Sequence, residues 1–194
     1  MSIKDDLAYL RSISSFIALT TFVFFLTSVM GYWAAGADPD LASQWRAQLD
    51  ALKWILKQPP LIIMIIIFLK NLLASAMAML LGLGLGLIPL LVATSNGFLL
   101  GVVAHGAVQQ SGPLFLAAGI LPHGILELPA VLVSIAIGFR LGYLLALILA
   151  REKADLAGET RIAVRLLWRY ITPILFLAAI IETFITPLAI SVVP

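Results

Sequence analysis

The chain has 194 residues, of which 62% are hydrophobic and 11% are charged, and its mean hydropathy is +1.09. Soluble domains carry about 25% charged residues, so the composition excludes a soluble globular protein and indicates an integral membrane protein. Because the chain has no cysteine, disulfides, thiolate metal sites and cysteine nucleophiles are excluded, and a net charge of only +2 argues against a nucleic-acid partner.

The first predicted element is the apolar run at residues 12–33, which follows a charged start at residues 4–11. A charged start and an apolar run are also typical of a signal peptide. The apolar core of a signal peptide, however, has about 7–15 residues, whereas about 20 residues cross a bilayer. We therefore expect a retained transmembrane helix.

The first polar segment predicts a helix at residues 39–57. Asp38 and Pro39 form the pattern of a helix cap followed by proline at the first helical position. Apolar residues recur along the segment at helical spacing, and polar residues cover the other faces. With Trp45 and Trp54 as interface anchors, the pattern favours an amphipathic helix lying on the membrane surface. A soluble helix packed against the protein's own loops is the alternative.

The middle of the chain is almost continuously apolar, so weaker signals must separate the spans. Turn-forming residues at 94–97 and 109–113 supply two such signals. A helix over residues 114–150 would be about 55 Å long, which is too long for one span, so we expect a break at residues 122–124. The predicted spans are 12–33, 61–87, 97–108, 114–140 and 170–192, and a charged connector is predicted at 151–169.

These elements predict an all-α fold: a polytopic transmembrane helix bundle of about five spans with broken or re-entrant helices, plus the interfacial helix, in a single domain of residues 1–194. Eight basic residues would share the side of the N-terminus: Lys4, Arg11, Arg140, Arg151, Lys153, Arg161, Arg165 and Arg169. Three would lie on the other side: Arg46, Lys53 and Lys57. Because cytoplasmic segments carry the excess of lysine and arginine, we expect a multi-pass protein of the cell membrane with its N-terminus inside and its C-terminus outside.

Glycine pairs spaced four residues apart predict close helix packing. The pairs are Gly82 with Gly86, Gly97 with Gly101, and Gly138 with Gly142. Lipid supplies no hydrophobic drive between helices, so close contact needs small residues that let backbones approach. We expect these glycines to pack helices within one chain, and a homodimer is the alternative.

The segment around Pro122 carries two ionisable residues inside an apolar run. Pro122 suits the first position of a helix, and His123 and Glu127 then share one face, a turn apart. Pro129 cannot donate a hydrogen bond to the carbonyl of Ile125. Because irregular backbone at membrane depth needs protein or water to satisfy it, we expect this face to point into the bundle.

Three further polar residues, Lys70, Asn71 and Glu182, also fall deep in predicted spans. A charge at the bilayer centre costs about 2.5–3.5 kcal/mol, so we predict that all five residues form a buried polar cluster in which Lys70 pairs with Glu127 or Glu182. The cluster either fixes helix register or forms a conduction path or binding site. A metal site is a weaker alternative, because its third ligand would have to be Glu182 or Asn71. We therefore predict no catalytic residue, no metal and no cofactor.

The same residues resemble the stage II sporulation protein M family of multi-span membrane proteins. The resemblance rests on Phe68, Asn71, Asn96-Gly97, Gly101, Leu121-Pro122-His123-Gly124, Glu127-Leu128, Gly138, Arg140-Leu141-Gly142 and Ile181-Glu182-Thr183-Phe184-Ile185-Thr186-Pro187. It implies a membrane scaffold, since in spore formers the named member works with a cell-wall hydrolase and a partner membrane protein during engulfment.

The resemblance therefore implies a non-enzymatic membrane scaffold that organises other membrane proteins in the lipid bilayer. A small transporter or channel that uses the polar cluster is the alternative. An intramembrane hydrolase is a third and weaker reading, for which only His123 and Glu127 supply the core of a site.

Overall fold

The computed structural model describes residues 3–38, 40 and 53–193, and over these residues the chain is helical without any strand. The helices are α1 (Ile3–Ser12), α2 (Ser14–Ala37), α3 (Lys53–Leu56), α4 (Pro60–Leu80), α5 (Leu87–Leu149), α6 (Leu156–Leu166), α7 (Thr172–Ile180) and α8 (Thr186–Ser191). The predicted all-α helix bundle is confirmed. The predicted surface helix at 39–57 lies mostly outside the described residues.

Helix α5 is a pair of helices joined at Gly112. Its 63 residues would be about 95 Å long if straight, three times the roughly 30 Å of a hydrocarbon core. Gly112 has φ 83° and ψ 171°, a conformation open essentially to glycine alone. The chain reverses there, and we call residues 87–111 α5a and residues 113–149 α5b.

Four stretches of the described chain are long and apolar enough to cross a membrane: Ser14–Ala37, Pro60–Leu83, Leu87–Leu149 and Leu156–Ser191. Counting α5a and α5b separately gives the five membrane-length segments that the sequence predicts. The last stretch is one continuous helix, because π-helical turns at Leu167–Ile171 and Ile181–Ile185 join α6, α7 and α8.

Helices α2 and α5a run parallel and touch at their backbones. A Cβ on Gly97 would overlap the carbonyl of Phe24, and one on Gly101, a turn later, would overlap the carbonyl of Ser28. Helices α4 and α5b are also parallel and equally close. A Cβ on Gly138 would overlap the carbonyl of Ala78.

The six predicted packing glycines all lie at contacts between helices of one chain. Gly82 meets the carbonyl of Gly138, and Gly142 lies against the backbone of Gly82 and Gly86. Gly86 has the further task of starting α5 in a left-handed conformation, with φ 79°, which glycine adopts at little cost. The sequence analysis missed Gly31, where a Cβ would overlap the carbonyl of Phe98.

The predicted break at residues 122–124 is wrong, because α5b runs as a helix through Pro122 and Pro129. Packed neighbours let a transmembrane helix tolerate proline within its length. The helix is interrupted at Gly112, within the turn predicted at residues 109–113, where the backbone conformation requires glycine.

The predicted turn at residues 94–97 is also wrong, because α5a continues through it. The side chains of Thr94, Ser95 and Asn96 donate hydrogen bonds of 2.8, 2.6 and 2.8 Å to carbonyls four residues earlier. Polar groups that bond back to their own helix need no turn. The actual turn precedes α5 and includes Leu81–Leu83.

These corrections move the predicted element bounds. The second span ends at Leu83 rather than 87, and the third occupies residues 87–111 rather than 97–108. The predicted connector at 151–169 is mostly helical, since α6 begins at Leu156.

The N-terminal helix α1 turns at Ile13 and packs against α6 at one end of the bundle. The Asp6 carboxylate is 2% exposed and accepts hydrogen bonds from Arg165 at 2.8 Å, Arg169 at 3.3 Å and the Tyr170 hydroxyl at 3.0 Å. We call this end of the bundle the α1 platform. It consists of α1, α6 and the C-terminal end of α5b. The sequence analysis did not predict it.

Candidate intramembrane polar site

Helix α5b and the last membrane-length helix bring three predicted residues together. His123, Glu127 and Glu182 each offer one ligand atom, and these atoms all lie within 4.8 Å of one another. His123 and Glu127 are one turn apart on α5b, so they share a face. All three side chains are half-buried.

A π-helical turn at Ile181–Ile185 places Glu182 in this group. Pro187 follows the turn, and its ring would clash with the carbonyl of Thr183 in a regular helix. The wider π-turn relieves that clash. Single π-turns inside α-helices are frequent at functional sites.

The His123 ring is held by a neighbouring hydroxyl. Its Nδ1 lies 3.2 Å from Oγ1 of Thr186, a residue that is 6% exposed. Because Nδ1 contacts this hydroxyl, Nε2 is the ring nitrogen left for another partner. Thr186 follows Glu182 by one helical turn, so one helix supplies both a carboxylate and the group that orients the imidazole.

Glu127 carries an unsatisfied oxygen. Its Oε2 is buried and makes no hydrogen bond within the part of the chain that the structure describes. Leaving a buried polar atom unpaired costs about 1–3 kcal/mol, and more when it is charged. A cluster that served only to lock helices together is expected to satisfy its oxygens.

A cavity of about 260 Å³ lies beside the cluster, between α2, α4, α5a and α5b. Its polar lining consists of Lys70, Asn71, Asn96, His123 and Glu127. A water molecule occupies about 30 Å³ in the liquid, so the cavity has room for several. Lys70 lies roughly 15 Å along α4 from Pro60, about halfway through a hydrocarbon core.

The structure places Lys70 and Asn71 on the α4 wall of the cavity. Asn71 is 7% exposed. Lys70 is exposed, and it makes no ion pair with Glu127 or Glu182 in the described residues. The predicted direct pairing is therefore not formed, and Lys70 is exposed, whereas the sequence predicted a buried position for it.

Two further polar residues beside the cluster, Thr186 and Asn96, were not assigned to it from the sequence. Thr186 can be found from its spacing, one turn after Glu182, whereas Asn96 was assigned to a turn. His105 packs its ring against Tyr32 with 5.1 Å between centroids and takes no part in the cluster.

The family described as stage II sporulation protein M matches residues 20–187. The chain belongs to this SpoIIM family. The resemblance seen in the sequence is thereby confirmed, and the chain is a membrane protein of that family. The matched region holds every residue of the polar cluster and leaves α1 outside.

Among curated proteins, the SpoIIM-family chain is 39% identical over 94 residues to an uncharacterized protein of Methanocaldococcus jannaschii. The match covers 47% of this chain and 53% of that relative, so the chain spans about half the relative's length. No solved structure matches the chain.

Proposed function

We propose that this SpoIIM-family protein is a small transporter that moves cations through the polar site. The observation that carries the proposal is the unpaired, buried Oε2 of Glu127, which lies beside His123, Glu182 and a cavity. Ionisable residues within a membrane are costly and mark ion or proton pathways by default. Two neighbouring carboxylates favour a positively charged solute.

The helix interruptions support this proposal. Transporters place their sites at discontinuous helices, and here a π-turn holds Glu182 while Gly112 and the turn before Gly86 interrupt the long apolar stretches. The protein then needs no catalytic residue, and we propose that it is not an enzyme.

A flux assay in liposomes tests the proposal. Purified protein is reconstituted, and uptake of protons, sodium, potassium and zinc is measured for wild type, Glu127→Gln and the matched control Glu152→Gln. Glu152 is exposed beyond the end of α5. We expect cation flux in wild type and the control, and at least a tenfold loss in Glu127→Gln. Absence of flux for all four cations in folded wild type would overturn the proposal.

The α1 platform favours a second function, the predicted scaffold. The last membrane-length helix has 36 residues, about 54 Å, so its first turns extend beyond a hydrocarbon core. There they are fixed by the Asp6 ion pairs and by Arg140 with Glu159 at 3.1 Å. A rigid platform outside the membrane suits the recruitment of other membrane proteins.

Crosslinking separates the scaffold from the transporter. A photoreactive residue at Arg161 on the platform is compared with one at Leu188, which is 67% exposed at the other end of the same helix. A scaffold is expected to give one reproducible partner from Arg161 alone, whether or not Glu127→Gln is present. Equal capture from both positions would remove this function.

We propose that the platform faces the cytoplasm in the cell membrane. The basic residues favour an N-terminus inside and a C-terminus outside. A periplasmic or extracellular reporter enzyme fused to the C-terminus is expected to be active, and activity only of a cytoplasmic reporter would reverse the orientation.

A further inference from the structure

We propose that His123, Glu127 and Glu182 bind a first-row divalent transition metal, with Zn²⁺ as the representative ion. This inference deepens the proposed function, on whose site it rests, by naming the class of cation. The metal would be bound within the membrane by one imidazole nitrogen and two carboxylate oxygens.

The spacing of the three donor atoms suits a metal. Bonds from zinc to nitrogen or oxygen are about 2.0–2.2 Å, so ligand atoms around it lie about 3–3.5 Å apart. Here the three atoms lie within 4.8 Å of one another. Side-chain movements of about 1 Å would close them on an ion, well within rotamer freedom for two glutamates.

The donor set selects the class of metal. Calcium and magnesium prefer all-oxygen sites, whereas imidazole suits zinc, iron and nickel, and soft copper(I) selects sulfur. One imidazole and two carboxylates therefore favour Zn²⁺, Fe²⁺ or Mn²⁺. Three protein ligands leave coordination positions for water or an exchanging ligand, and the adjoining cavity provides the space.

The contact between His123 and Thr186 is the one that a metal-binding histidine needs. Such a histidine almost always donates its other ring N–H to an oxygen, which fixes the tautomer and the orientation of the ring. The 3.2 Å contact between Nδ1 and the Thr186 hydroxyl provides such an oxygen for the tautomer protonated at Nδ1, in which Nε2 is left for the metal.

The charges of the two carboxylates also favour a bound metal ion. Two ionised carboxylates side by side at membrane depth are strongly unfavourable without a compensating cation. Lys70 lines the same cavity as Glu127 but forms no ion pair with either carboxylate in the described residues. A divalent cation would neutralise both and give the buried Oε2 of Glu127 its missing partner.

Zinc binding to the full chain in nanodiscs tests the inference, using protein purified without a polyhistidine tag and treated with a chelator. We expect one saturable site by isothermal titration calorimetry. X-ray absorption of the loaded protein should show one nitrogen and two oxygen ligands from protein at about 2.0–2.2 Å. Glu127→Gln, Glu182→Gln and His123→Ala should each weaken zinc binding at least 30-fold, and Glu152→Gln should not change it.

Folding of each variant is checked by circular dichroism and gel filtration, and Glu182→Asp serves as a gentler change that should retain intermediate affinity. Absence of a saturable wild-type site, or equal zinc binding by Glu127→Gln and Glu152→Gln, would overturn the inference. Flux of protons or sodium without zinc binding would remove the metal but keep the transporter. Zinc binding without flux of any cation would support the metal site and remove the transporter.

Discussion

At the scale of single residues, Glu127 destabilises the fold but offers an oxygen that can bind a ligand. Its Oε2 is buried without a hydrogen bond in the described chain, and Glu182 and His123 stand within 4.8 Å. Functional sites commonly retain such unfavourable groups because the work of the site requires them. A residue whose role is to fix helix register would instead stabilise the folded state.

Glu127→Gln distinguishes these roles through stability. The amide removes a buried negative charge beside Glu182, so we expect the metal-free variant to unfold at the same temperature as wild type or a few degrees higher, a gain of up to about 1 kcal/mol. Thermal unfolding in detergent measures this. A fall of 5 °C or more would show that the carboxylate holds the helices together, and the functional role of Glu127 would lose its main support.

Much of this site is predictable at the residue scale. Charged residues stand out in an apolar run, and their cost requires them to face the bundle interior, which is why His123, Glu127 and Glu182 were chosen from the sequence. Their mutual distance is not predictable, because it depends on how α5b and the last helix pack. The pairing of Lys70 with a glutamate was not predictable for the same reason. The cost of a buried charge indicates that it needs a partner but does not specify which one.

At the scale of elements, α1 is held by a buried carboxylate. Asp6 pairs with Arg165 and Arg169, whose side chains are 28% and 42% exposed. No sequence pattern connects residues so far apart in the chain. The turn signal at residues 94–97 failed because Thr94 and Ser95 donate hydrogen bonds to carbonyls of their own helix. The signal at residues 109–113 is confirmed, because Gly112 makes the turn.

Asp6→Asn is expected to loosen α1. It removes the charge that accepts bonds from two arginines and the Tyr170 hydroxyl, and charge-assisted bonds of this kind are worth about 1.5–3 kcal/mol each, less for exposed partners. We expect a lower unfolding temperature and faster proteolysis within α1. The matched control is Lys4→Gln, an exposed position on the same helix. Equal proteolysis of both variants would contradict the role given to Asp6.

Tyr9 gives α1 a dependence on alkaline pH. Burial, followed by the nearby negative charge of Glu159, raises the pKa of the Tyr9 phenol above its usual value of about 10. A raised folded-state pKa means that the stabilisation is complete below the unfolded-state pKa and is lost as pH rises through the folded-state pKa. The unfolding temperature of wild type relative to Tyr9→Phe should therefore fall above about pH 10. A constant difference from pH 8 to 11 would contradict this.

At the scale of the whole molecule, the fold places a polar site in the middle and a charged platform at one end. The close packing of α2 with α5a, and of α4 with α5b, is possible because glycines let the backbones approach. This contact pattern supports the predicted internal packing, and the alternative of a homodimer is not tested by it. The fold class was predictable because composition and length restrict a membrane protein to a few architectures. The bounds of the helices were not predictable, because few turn-forming or polar residues mark where lipid-facing helices end.

The central claim is that the cavity beside Glu127 holds water at membrane depth, and the absence of native cysteine makes it directly testable. Ala74 lines the cavity, whereas its neighbour Leu73, at the same depth on α4, is 61% exposed on the outer surface of the bundle. Single Ala74→Cys and Leu73→Cys variants are treated in membranes with a small, charged, thiol-specific reagent. The account predicts rapid labelling of the Ala74→Cys variant, slowed by Zn²⁺, and no labelling of the Leu73→Cys variant; an unreactive Ala74→Cys variant, or equal labelling of the two, would contradict it.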